Sequence, residues 1–164
     1  MQFPATNASL QTLSNGLPVI MQVDSNAPVV SAQCWVATGS QHENQFVGSG
    51  ISHLLEHMVF KGTTSFTGAE LATAVNANGG QWNAYTSFDR TVYYIDGPSA
   101  SCATFIHVLF ELVFQPRLPA NDFETERDVI RREIDMGKDD PDSVASELLF
   151  RTFFQHDHRR HPVI

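Results

Sequence analysis

One hundred and sixty-four residues, 42% of them hydrophobic, suffice for one ordinary domain with its own core, and that excludes an intrinsically disordered chain. A formal net charge of -8 repels phosphate backbones and anionic headgroups, so nucleic acid is not an expected partner. A membrane span is not expected either, because the longest apolar runs stop short of the roughly 18 residues one needs; Phe105 to Phe114 is broken by His107 and Glu111.

Cys34 and Cys102 are two thiols far apart in sequence with no C-x-x-C pattern, which predicts buried free cysteines rather than a disulfide framework. The opening MQFPATNASLQTL has neither the basic nor the apolar region of an export signal. That leaves the compartment open.

In chain order, Leu10 to Leu13 and Leu17 to Val23 flank Ser14-Asn15-Gly16 and predict a hairpin, since Asn-Gly supplies the positive φ angles of a tight turn. A third strand is expected over Val29 to Thr38. The pattern then turns helical from Ser49 to Lys61 and again from Thr67 to Asn78, where Gly79-Gly80 closes the helix. Strands follow over Gln81 to Ser87 and Thr91 to Ile95. Beyond Gly97 the periodicity is helical throughout, over Ser99 to Gln115, Ala120 to Met136 and Pro141 to Phe154. Hairpin-linked strands with helices between and after them make an α+β fold, an antiparallel sheet packed against helices. No linker or repeat divides the chain, so a single unit over residues 1–164 is expected.

The strongest chemical feature is His53-Leu54-Leu55-Glu56-His57 in the first helix. At about 100° per residue, His57 falls near 40° and Glu56 near -60° from His53, while Ile51, Leu54, Leu55 and Met58 share the opposite arc. Two imidazoles at i and i+4 can reach one metal ion, and a carboxylate just before the second can serve a metal-activated water. Taken alone, the same letters also fit two histidines beside a glutamate on a solvated face.

Glu126 and Glu133 add weight. They are seven positions apart on a predicted helix, flanked by Phe123, Val129, Ile130 and Ile134, while Arg127, Asp128, Arg131 and Asp135 gather opposite. Both carboxylates are therefore expected on the buried face, where an ionised group needs a cation. A metal or a buried arginine would each meet that need.

Together, HLLEHMVFKGT (His53 to Thr63), GGQWNAYTSFDRTVYY (Gly79 to Tyr94) and ERDVIRREI (Glu126 to Ile134) resemble the inverzincin metallopeptidases. Their signature H-x-x-E-H reverses the order of H-E-x-x-H, and the group includes pitrilysin, insulin-degrading enzyme and mitochondrial processing peptidase. The resemblance implies a pitrilysin-like zinc endopeptidase domain acting on unfolded peptides. It implies one zinc ion held by His53, His57 and Glu133, Glu56 as general base, and Glu126 supporting a ligand histidine from outside the coordination sphere. It also implies that Asn83 and Ala84 lie on an edge strand along which the peptide substrate is added as a further strand.

The family's catalytic domain is longer than this chain and faces a second, metal-free half across a chamber. We therefore expect a catalytic domain incomplete at its C-terminus, lacking that homologous half or subunit and weakly active or inactive alone. The resemblance to bacterial members points to a bacterial cytoplasm or periplasm. The alternative is a non-catalytic, zinc-binding or scaffold subunit that pairs with a homologous chain.

The remaining candidates read as structural. Gly48-Ser49-Gly50 lacks the lysine of a phosphate loop and is expected to be a flexible lead into a helix. His156, His158 and His161 read as a polar tail, His107 as a core residue, and Trp35 and Trp82 as sheet residues packing a face.

Overall fold

The computed structural model describes residues 7–164; the first six residues of the opening segment lie outside them. The predicted hairpin forms from β1 (Ala8–Thr12) and β2 (Pro18–Gln22), paired antiparallel with Leu10 opposite Ile20. Gly16 stands at φ +87 in its turn, the left-handed conformation for which glycine is suited. This two-stranded sheet is largely solvent-exposed.

The main sheet contains β3 (Val29–Val36), β4 (Gln81–Thr86) and β5 (Thr91–Pro98). Its order is β3-β5-β4, antiparallel throughout, with Cys34, Tyr93 and Ala84 in register across the three strands. Central β5 has nearly continuous burial where the edge strands alternate, as expected of a strand paired on both sides. The edge strand β4 pairs only with β5 among the described residues.

Five helices follow the predicted order: α1 (Ile51–Val59), α2 (Gly68–Ala77), α3 (Cys102–Phe114), α4 (Ala120–Asp139) and α5 (Pro141–Phe153). α2 starts with a capping box, Thr67 and Glu70 each serving the other's backbone N–H. α5 begins with Pro141 behind the capping carboxylate of Asp140. α3 packs on β3 and β5, α1 on β4, and α4 on α1, so the helices cover one face of the sheet.

That covered face holds the core of Val75, Ile95, Phe105 and Leu112, none more than 1% exposed. Gly80 and Gly97 are part of its fit. A Cβ at either position would lie 2.7 Å from the Phe105 ring, so the aromatic ring occupies the space that two missing side chains leave. Phe105→Ala should therefore cost about 3–5 kcal/mol of stability, read from denaturant midpoints; a loss under about 1 kcal/mol would show that the ring is not a core element.

Several expectations are corrected. His107 is exposed on α3, its ring edge-on to Phe66 at 6.1 Å, because α3 buries Phe105, Val108, Leu109 and Leu112 instead. Trp35 is 60% exposed on the uncovered sheet face. There Arg90 lies 5.3 Å above its ring, and its Nε1 donates to Gln33 Oε1 at 2.8 Å. Trp82 does pack inward, meeting Phe60 edge-on at 5.0 Å. Cys34 and Cys102 are free but only half-buried.

Candidate metal centre

α1 is amphipathic, and its geometry follows from the H-x-x-E-H spacing. Gly50 precedes it at φ +74 and Gly48 lies at φ +85, so the chain turns sharply through two left-handed residues before the helix begins. His53 and His57 then project from successive turns with ring centroids 4.6 Å apart. Across from them, α4 brings in Glu133: its Oε2 lies 3.8 Å from His53 Nε2 and 3.5 Å from His57 Nε2.

These three side chains are the one group among the described residues whose donor atoms could hold a metal ion, all lying within 4.8 Å of one another. Two donors on one tetrahedral zinc, each at about 2.0–2.1 Å, stand about 3.3 Å apart, close to the 3.8 Å and 3.5 Å that separate Glu133 Oε2 from the two histidine nitrogens. Two imidazoles and one carboxylate with an open side are also a donor set of catalytic zinc sites. The residues fit the ion.

Glu126 lies behind His57. Its Oε2 is 3.2 Å from His57 Nδ1; were Nε2 to give its lone pair to a metal, the proton would stand on Nδ1 and be donated to this carboxylate. Its Oε1 meets Lys61 Nζ at 2.5 Å. Burial raises the Glu126 pKa, but the hydrogen bonds and charges of Lys61 and His57 outweigh it, and the carboxyl titrates below its ordinary range.

Here the expectation of two buried carboxylates is corrected. Glu126 is buried, whereas the Glu133 side chain is 38% exposed, because α4 turns that end toward the open side of the site. The cation that Glu126 requires is Lys61, neither an arginine nor necessarily a metal. Lys61 lies four residues beyond His57 on the same stripe of the chain, a spacing that could have revealed it.

Glu56 is only 7% exposed and lies toward β4, where Thr86 Oγ1 donates to its Oε2 at 2.5 Å. Burial raises its pKa, the Thr86 hydrogen bond and His57 lower it, and Glu133 raises it; the balance is upward. Thr86 lies within the Gly79–Tyr94 segment at the end of β4, but only the tertiary fold brings it to Glu56. Thr86→Val should raise the Glu56 pKa further, and the acidic limb of any Glu56-dependent pH profile should move up; an unmoved limb would remove Thr86 from this role.

Asn83 and Ala84 sit on β4, the edge strand nearest α1. The Ala84 N–H donates to Asn83 Oδ1 at 2.9 Å, so this amide is met by a side chain and not by a neighbouring strand. His156, His158 and His161 are exposed around a 3-10 turn spanning His158–Arg160 and join no metal-ligating group among the described residues. No described helix is long and apolar enough to cross a membrane.

Comparison with known proteins identifies the family of the chain. The profile of the insulinase family, peptidase family M16, matches residues 18–164. The chain is 32% identical over 153 residues to the uncharacterized zinc protease YmxG of Bacillus subtilis, covering 93% of this chain and 37% of that protein. It is 33% identical over 145 residues to the beta subunit of the mitochondrial-processing peptidase of Neurospora crassa, covering 88% of this chain and 30% of the subunit. A protease from Helicobacter pylori superposes with TM-score 0.82 at 29% identity, over 95% of this chain and 38% of that one. An M16 inactive domain from Pseudomonas fluorescens also has TM-score 0.82, at 18% identity, which shows the shared fold. The chain thus spans only 30–38% of the length of these relatives. An antiparallel α+β domain with H-x-x-E-H on its first helix, matched along nearly its whole length, belongs to the insulinase family of metallopeptidases, peptidase family M16.

Proposed function

We propose that this domain is the zinc-bearing part of a metalloendopeptidase that hydrolyses peptide bonds of unfolded peptides. The observation that carries the proposal is the convergence of His53, His57 and Glu133 on one point, with the buried carboxylate of Glu56 beside them. In this reading those three residues hold one zinc ion. When bound, zinc activates a water molecule and polarises the scissile carbonyl.

The chain's own residues carry the proton. Glu56, its basicity raised by burial, accepts the proton of the attacking water and returns it to the leaving amine. Thr86 holds one Glu56 oxygen and leaves the other for that exchange. Glu126, steadied by Lys61, accepts from His57 Nδ1 and fixes the Nε2 lone pair toward the metal. Asn83 and Ala84 bind the peptide as a strand added to β4; Asn83 must then release the Ala84 N–H to the incoming backbone.

Because the chain spans 37% of a relative such as YmxG, we assign the chamber's second half to a homologous segment or subunit. The domain alone would then bind zinc and cleave peptides poorly. Metal analysis of the intact protein is the direct test, with about one zinc per chain expected. A purified protein with no zinc and no affinity for added zinc would favour the non-catalytic subunit.

A further inference from the structure

Outside this proton path the fold buries a further carboxylate, Glu43. It is 8% exposed and lies between two short 3-10 turns, Ser40–His42 and Asn44–Phe46. These turns lead the chain from β3 to the start of α1. Ser40 N–H donates to Ser87 O at 3.1 Å and Gln41 N–H to Phe88 O at 2.9 Å, which fastens the segment to the β4–β5 hairpin. At the other end, Glu43 Oε1 accepts from Ser52 N–H at 2.7 Å. This satisfies a first-turn donor that α1 itself cannot satisfy, and Gly50 at the N-cap offers no side chain to do so.

Two buried side-chain atoms among the described residues have no hydrogen-bond partner: Glu43 Oε2 and His53 Nδ1. They are chemically complementary. A carboxylate oxygen only accepts, and an imidazole whose Nε2 faces a metal carries its proton on Nδ1 and must donate. Ser52, bonded to Glu43, immediately precedes His53 in the chain. The other histidine already has such an acceptor in Glu126, and a metal-ligating histidine nearly always has one.

We propose that Glu43 is a positioning residue for His53. Its Oε1 anchors the first turn of α1, and its Oε2 receives the His53 Nδ1–H, directly or through one water. Glu43 would thus do for His53 what Glu126 does for His57. The inference rests on the zinc reading above and extends it to a residue outside the H-x-x-E-H motif.

Glu43→Gln in the intact protein separates this role from simple helix capping. The amide oxygen can still accept from Ser52 N–H, but the amide nitrogen then faces the His53 Nδ1–H as a second donor. The expected result is a melting temperature of the metal-free variant close to wild type and a 10–100-fold weaker zinc affinity by chelator competition. In the metal-free protein, imidazole nitrogen NMR should show wild-type His53 largely as the Nδ1–H tautomer and the variant depleted in it. Glu43→Asp, which keeps the carboxylate, should recover part of the affinity. Zinc affinity within twofold of wild type and an unchanged tautomer in Glu43→Gln would overturn the assignment while leaving the zinc site intact. A wild-type protein without zinc affinity would overturn both.

Discussion

Glu56→Gln is expected to lower peptide hydrolysis by about 10²–10⁴-fold, the usual contribution of a general base, with zinc content unchanged. The substitution preserves shape and the acceptor for Thr86 Oγ1 but removes the group that takes the proton. His53, His57 and Glu133 are untouched, so the metal should stay. Steady-state kcat/KM on an unfolded polypeptide, measured beside metal analysis, gives the answer. Undiminished hydrolysis by a zinc-loaded variant would exclude Glu56 as the base. The pH profile should carry the same signature: with burial raising the Glu56 pKa, its acidic limb should lie above the range of a solvated glutamate.

A chelator should lower the melting temperature substantially at pH 7.5. An ion that binds only the folded state at a thousand times its Kd adds about 4 kcal/mol by mass action. In a domain of this size that corresponds to roughly 10 °C. His57→Ala should reduce the chelator effect to near zero, since it removes one of three ligands and the donor to Glu126. Equal melting temperatures for wild type with and without chelator, at verified zinc loading, would show that the metal does not support the fold.

The metal-free protein should have its own pH dependence. Burial, then the nearby His57, lowers the His53 pKa to about 4, so the unfolded state binds more protons than the folded state between about pH 4 and the ordinary histidine value near 6.5. The stability that His53 contributes is present above about 6.5 and is lost as pH falls toward 4. Proton competition at His53 is accordingly displaced well below the range that an unperturbed imidazole suggests. Thermal melts of the chelated protein from pH 7.5 to 4.5 should decline through that window, and His53→Gln should flatten the decline.

Much of the architecture was legible in the chain. Local signals mark the elements: Asn15-Gly16 for the hairpin, Thr67 and Glu70 for the cap of α2, Pro141 for the start of α5. The candidate site was legible because its parts repeat with the helical period; His53, Glu56 and His57 share one face of α1, and Glu126 and Glu133 align along α4. Periodicity says which residues share a face of one helix but not what stands opposite that face. Hence Trp35 and His107 were expected inside and lie outside, and Glu133 was expected buried and is half-exposed.

Tertiary structure alone decided the partners. The pairing of α1 with α4 gives the two carboxylates of one helix different surroundings, because only Glu126 comes within reach of both His57 Nδ1 and Lys61 Nζ. The tertiary fold brings Thr86, thirty residues from Glu56, to its carboxylate, and the turns before α1 carry Glu43 to the Ser52 amide. Such contacts have no sequence period, since each depends on where two separate elements cross. A sequence records the chemistry each element offers; desolvation and contact, which tune that chemistry, arise only where the elements meet.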